Sequence, residues 1–147
     1  MVEKHLIEVK SAVEKEDLDN VFGIRKRVFV EEKGISLEDE LDEYDKSSEH
    51  IIVYYNSQPA ATGRLRIIGD TAKLERICVK PEFRALGLGK VVVNALETTA
   101  RQKGIRKLKL HAMEEVKEFY IKLGYTQNSG EFMEAGIPHV LMTKSIN

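Results

Sequence analysis

The chain has 147 residues, 42% of them hydrophobic, which suffices for one core and suggests a single domain over residues 1–147. A net charge of -1 gives no global argument for binding nucleic acid or a membrane surface, and no run of about 18 apolar residues exists to span a bilayer. The first ten residues, MVEKHLIEVK, carry charge where a signal peptide needs its apolar region, and the one cysteine, Cys78, can form no internal disulfide; both point to a cytoplasmic protein.

In chain order, apolar alternation over residues 6–13 predicts a strand that opens the sheet. Asp17 then caps a helix in which Leu18, Val21, Phe22, Ile24, Val28 and Phe29 recur at helical spacing, and Gly34 ends it. Residues 31–49, EEKGISLEDELDEYDKSSE, are strongly acidic, and residues 37–48 read as a loop or a short exposed helix. A solvated surface explains the acidity more simply than a site, although such a segment could also face a cationic substrate. Residues 50–55 predict a strand, Asn56-Ser57-Gln58-Pro59 a turn, and residues 60–68 its hairpin partner. Gly69-Asp70 turns the chain into a third strand, residues 71–79, stopped by Pro81. Within it Cys78 reads as a small buried hydrophobe rather than a reactive thiol. There follow a glycine-containing turn, a helix over residues 88–103 closed by Gly104, a strand over 106–111 and a short helix over 115–123. A strand pair near residues 125–128 and 138–145 completes the chain, without internal repeat or linker. Lysine and arginine dominate residues 80–109, which suits either an anionic cofactor or a solvated face.

A strand running into a glycine turn that opens a helix makes an anion site, because the first-turn NH groups lack intrahelical partners and the helix dipole is positive there. Two familiar phosphate devices fail on spacing. Gly89-Lys90 is followed by Val91 rather than Ser or Thr, and no glycine stands five residues before Gly89; Gly87-Leu88-Gly89 is followed by Val92 at the third glycine position. What stands there is Arg84-x-x-Gly87-x-Gly89, which resembles the acetyl-CoA signature of the GCN5-related N-acetyltransferase (GNAT) superfamily. Further on, Lys107-Leu108-Lys109-Leu110-His111 alternates as a strand, and Phe119-Tyr120-Ile121-Lys122-Leu123-Gly124-Tyr125 is similar to the aromatic motif that closes the next helix in that family.

The resemblance implies an α/β (α+β) fold with a mixed, mostly antiparallel seven-stranded sheet, helices on both faces, and a parallel pair, residues 71–79 and 106–111, that splays apart. It implies acetyl-CoA as cosubstrate, no metal, and direct transfer of the acetyl group to an amine of a small molecule or peptide; no GxSxG motif argues for a covalent intermediate. By the same resemblance Ile77, Cys78 and Val79 bind pantetheine through main chain, while Arg84, Ala85, Leu86, Gly87, Leu88, Gly89 and Lys90 surround the pyrophosphate. Tyr120 matches the tyrosine that protonates the leaving thiolate, with packing against Phe119 as the plainer alternative. Glu75, at the same strand parity as Ile77 and Val79, is the candidate base, unless it pairs with Arg64, Arg66 or Arg76. Many family members carry Asn or Gln near the start of the last helix, where this chain has Met113.

A finer resemblance, to a small bacterial branch of acetyltransferases, rests on Arg27-x-Phe29-Val30-x-Glu32, Glu40-x-Asp42-x-x-Asp45, Gly63-Arg64-Leu65-Arg66 and Gly136-Ile137-Pro138-His139-Val140. It makes Arg27, Glu32, Arg64 and His139 candidate acceptor-pocket residues, each with a structural alternative; His111, at the end of its strand, joins them. A homodimer, common in the family, stays open. The rival function is an acyl-CoA sensor or partner-binding module that keeps the pocket without chemistry; nucleic-acid binding ranks last because the basic segment has no interleaved aromatics.

Overall fold

The computed structural model describes residues 6–147; residues 1–5, on which part of the signal-peptide reading rests, lie outside them. β1 (Ile7–Ser11) lies antiparallel to β2 (Glu49–Tyr55), which continues through β3 (Gln58–Ile68) into β4 (Thr71–Val79) as a meander. Asn56 and Ser57, between β2 and β3, both take positive φ (48° and 69°), the mirror-image turn whose twist suits a two-residue hairpin. After a helix over residues 88–102 the chain returns as β5 (Lys107–Met113), parallel to β4, and ends in β6 (Thr126–Gln127), β7 (Phe132–Glu134) and β8 (Ile137–Ser145). The order is β1-β2-β3-β4-β5-β8-β6, with β7 also on β8, so the sheet is mixed and mostly antiparallel. Among the described residues it has eight strands rather than seven. The extra one, β7, arises because Ala135 and Gly136 (φ 51° and 74°) form a tight turn pairing Glu134 with Ile137.

Helices cover both faces. α1 (Lys15–Arg25) packs over β2, β3 and β4 with Val21, Ile24, Val28, Phe29, Ile52, Tyr54 and Cys78 in its core. On the opposite face α3 (Leu88–Gln102) and α4 (Lys117–Lys122) bury Val92, Leu96, Leu65, Leu74, Leu108, Leu110 and Tyr120. The N-cap of α1 is Glu14 rather than Asp17. Asp17 sits within the first turn, where its carboxylate accepts the Tyr54 hydroxyl and pairs with Lys10 at 3.0 Å. The helix does not run straight to Gly34. From Lys26 to Glu32 it widens into a π-helical turn, with Lys33 N–H donating to Val28 O at 3.0 Å, before Gly34 ends it at φ 76°. α2 (Leu37–Glu40) follows, capped by Ser36 Oγ, which accepts Asp39 N–H at 3.1 Å.

Two irregularities in β4 position everything that follows. The β3–β4 register slips between Thr62 and Arg64, and Arg76 takes φ 54°, so β4 carries a bulge opposite Gly63. A side chain at Gly63 would meet Val92 Cγ1 at 2.6 Å and Leu96 Cδ1 at 2.9 Å, which is why glycine stands where the strand bends against α3. The bulge also resets side-chain parity. Ala72 and Leu74 before it, and Ile77 and Val79 after it, all point toward α3, whereas Glu75 points toward α1 as Cys78 does. Simple alternation put Glu75 on the face of Ile77 and Val79; one inserted residue reverses that.

Candidate active site

β4 and β5 pair in parallel over four positions, Thr71–Lys107 to Leu74–Leu110, and then part. Past Leu74, β4 bends at the bulge and stays with β3, while β5 stays with β8. Residues 75–79 therefore have a strand partner on one side only, and peptide groups left at such an edge require other partners.

At the far end of β4, Pro81 begins a single 3-10 turn and the chain enters the loop before α3. Ala85 and Gly87 both take left-handed backbone (φ 65° and 77°), and Val91 N–H is the first to donate back, to Gly87 O at 3.3 Å. The NH groups of Leu88, Gly89 and Lys90 are thus left at the positive end of a 15-residue helix, the arrangement that receives an anion. Gly89 lies against α4; a Cβ there would stand 3.2 Å from Phe119 Cζ. Ile77, Cys78, Val79, Arg84, Ala85, Gly87, Leu88, Gly89 and Lys90 line one groove of about 460 Å³ that runs from the parted strands to this loop. Leu86 is 44% exposed and does not line it.

Tyr120 reaches the same groove from α4. Its ring is held edge-on by Phe119 at 4.9 Å and Tyr125 at 6.0 Å, and its hydroxyl has no hydrogen-bond partner among the described residues. Burial pushes the phenol above its ordinary pKa, so at neutral pH the group is a proton donor. Cys78, also buried, has its thiol pushed up by burial as well, which leaves little thiolate to act as a nucleophile. The reading of Cys78 as a small buried hydrophobe agrees with its place in the α1 core.

On the α1 side of the parted strands lies a second cavity of about 460 Å³, lined by Glu75 and Arg76 of β4, His111 and Met113 of β5, Glu134 of β7 and His139 of β8, among others. His111 and His139, singled out from sequence, meet here around Glu134, which sequence reasoning missed. Glu134 Oε1 is 2.9 Å from His111 Nδ1 and its other oxygen 3.6 Å from His139 Nε2. The available signal was the Ala-Gly pair after Phe132-Met133-Glu134, which marks a hairpin pairing that segment with the strand of His139.

The other three acceptor-pocket candidates go elsewhere. Arg64 is fully buried and pairs with Asp42 (2.7 and 2.9 Å), Asp45 (2.8 Å) and Glu75 (2.7 Å), so it cross-links β3, β4 and the acidic segment instead of facing a cavity. Arg27 pairs with Glu82 at 3.1 Å. Glu32 grips Arg84 with two bonds of 2.6 and 2.7 Å, while Arg84 Nε donates to Val79 O at 3.1 Å. The π-helical turn has aimed both residues at the anion loop. Glu75 is equally occupied. Burial alone would raise its pKa, but Arg66, Arg64 and Lys73 prevail and bring it down to about 2, which leaves it a weak proton acceptor.

Most of the acidic segment is solvated, with Glu31, Glu38, Asp39 and Glu43 exposed, but three of its carboxylates turn inward. Glu40 is buried against Arg25 (2.6 Å), and Asp45 bonds both Arg25 (2.7 Å) and Arg64 (2.8 Å). Burial opposes ionisation of Asp45 as well, yet hydrogen bonds and charge from Arg25 and Arg64 carry it down to about 2. Glu40, Asp42 and Asp45 thus form an internal counter-ion strip for Arg25, Arg64 and Arg76 on the α1 face of the sheet.

A mixed sheet forked at one parallel pair, with an anion loop at the head of α3 and a buried phenol in the groove beside it, is the architecture these residues build. The family model described as an acetyltransferase (GNAT) domain matches residues 14–146, and the chain belongs to that family. The Bacillus subtilis (strain 168) protein YyaT is 49% identical over 142 residues, 95% of this chain and 96% of YyaT. The uncharacterised N-acetyltransferase YjcF of the same organism is 40% identical over 134 residues, 90% of this chain and 96% of YjcF. Among solved structures, Escherichia coli ElaA superposes with a TM-score of 0.84 at 23% identity, over 95% of this chain and all (100%) of that one. A PaiA N-acetyltransferase of Thermoplasma acidophilum, solved in complex with coenzyme A, gives 0.74 at 20% identity over 95% and 99% of the two chains. At these identities the two structures share the fold with this chain.

Proposed function

We propose that this acetyltransferase-family protein takes acetyl-CoA into the gap between β4 and β5 and passes the acetyl group directly to an amine. The observation that carries the reading is the fork itself: residues 77–79 lack a strand partner on the side where a groove leads to the anion loop and to Tyr120. Pantetheine, with two amides, can bond an open strand edge as an added strand would. The pyrophosphate suits the NH groups at the head of α3, and the likeness in fold to a structure solved with coenzyme A supports coenzyme A as the ligand.

Each group then has a task. The Tyr120 hydroxyl, kept protonated by burial, gives its proton to the sulfur as the carbon–sulfur bond breaks. Cys78 takes no covalent part, since its thiol stays neutral. Transfer is therefore within a ternary complex. The acceptor enters from the α1 side through the cavity around Glu134, and the two ligands meet where the strands part. A thiol-release assay with acetyl-CoA and a broad amine panel tests this. Amine-dependent release of CoA is expected; binding of CoA with no amine-dependent release across the panel would favour an acyl-CoA sensor.

A further inference from the structure

An alkylammonium, of pKa about 10, must lose a proton before its nitrogen can attack, and Glu75, already held by three cations, is poorly placed to take it. We propose that His111 is the base that accepts this proton and that Glu134 positions it; the proposal rests on the acetyltransferase reading above. An ionised carboxylate can only accept, so its 2.9 Å contact with His111 Nδ1 puts the ring proton on that nitrogen. The lone pair is then on Nε2, which has no hydrogen-bond partner among the described residues. The Phe132 ring, edge-on at 5.0 Å, fixes the imidazole plane.

Position supports the same assignment. Leu110 is the last β5 residue paired with β4, so His111 is the first residue beyond the fork, on the α1 face and lining the acceptor cavity. Tyr120 stands in the groove on the other side of the parted strands. A thioester held in the gap would have its carbonyl carbon approached from the His111 side and its sulfur protonated from the Tyr120 side.

Most other charges here are already matched. On β4, Lys73 pairs with Glu75 at 3.1 Å, and Arg76 with Asp42 and Glu40 at 3.2 and 3.6 Å. Lys109 shares the His111 face of β5, two residues back. His139 uses Nδ1 as donor to Ile137 O at 2.7 Å and turns Nε2 toward Glu134. Asp39 has no ion-pair partner among the described residues and lines the same cavity, so with Glu134 it favours a cationic acceptor.

The protons balance. The ammonium gives its first proton to His111 Nε2, and the freed nitrogen lone pair bonds to the thioester carbon. As the carbon–sulfur bond breaks, Tyr120 protonates the sulfur; the second proton leaving the new amide nitrogen restores the phenol. His111 returns its proton to solvent, so one proton is released per amide formed.

The test compares kcat/KM for a primary alkylamine of pKa about 10 with that for a weakly basic aromatic amine, which arrives neutral at pH 7. With His111→Asn, transfer to the alkylamine should fall on the order of 100-fold and transfer to the aromatic amine far less. The acid limb of the wild-type alkylamine pH profile should vanish in the variant. Glu134→Gln should lose part of the same difference, and supplies the comparison on its own should His111→Asn not fold. Equal losses for both amines, or an unchanged limb, would overturn the assignment while leaving the acetyltransferase reading intact. A wild-type protein that binds CoA and releases no thiol with any amine overturns that reading, and this one with it.

Discussion

Tyr120→Phe should lower kcat on the order of 100-fold or more while leaving the CoA dissociation constant within a few-fold of wild type. The substitution removes one oxygen from a buried ring whose packing against Phe119 and Tyr125 is unchanged, so no cavity opens. That oxygen bonds to nothing else among the described residues, so its loss breaks no structural hydrogen bond. What disappears is the donor for the leaving thiolate. Steady-state kinetics with a calorimetric CoA titration separate the outcomes: equal kcat with weakened CoA binding would make Tyr120 a packing residue.

The second large effect concerns stability. Arg64→Ala should cost about 3–5 kcal/mol at pH 7, because it leaves Asp42, Asp45 and Glu75 facing one another without their shared cation. For a chain of this length that lowers the unfolding midpoint by about 10 °C or more. The pH dependence has a definite sign. Asp45 and Glu75 are held at about 2, below their ordinary values of 3.8 and 4.5, so their contribution is fully present above about pH 5 and is lost as pH falls toward 2. The wild-type advantage over Arg64→Ala should narrow across that interval in denaturant titrations. A variant within about 1 kcal/mol of wild type at pH 7 would mean that the strip adds nothing net, an outcome known for some buried ion pairs.

Local signals carried much of the fold. Asn56-Ser57 and Gly69-Asp70 announced the meander, and Gly87, Gly89 and Gly104 bracketed α3, because each of these features depends only on neighbouring residues. The Arg84-x-x-Gly87-x-Gly89 and Phe119-Tyr120 motifs likewise found the groove, where all but Leu86 of the named loop residues line the wall. What stayed hidden was set by long-range geometry. The bulge at Arg76 exists because β4 must bend past Gly63 and α3, and no periodicity within residues 71–79 shows that the parity of Glu75 has been reversed. The π-helical turn similarly sends Arg27 and Glu32 to the anion loop, away from the cavity that their helix also lines through Phe29. The inward turn of Glu40, Asp42 and Asp45 stayed hidden within a largely solvated run because their partners, Arg25, Arg64 and Arg76, are 15 to 36 residues away in the chain. Glu134 was invisible for the same reason: it reaches His111 only through a hairpin and a shared neighbour, β8.

The fork between β4 and β5 is tested most directly by amide hydrogen exchange on the full chain with and without CoA. Protection should appear at residues 77–79 and 86–90 and leave the β1–β2 edge unchanged. Binding of CoA without added protection at those two segments, or protection confined to another part of the sheet, would contradict the account.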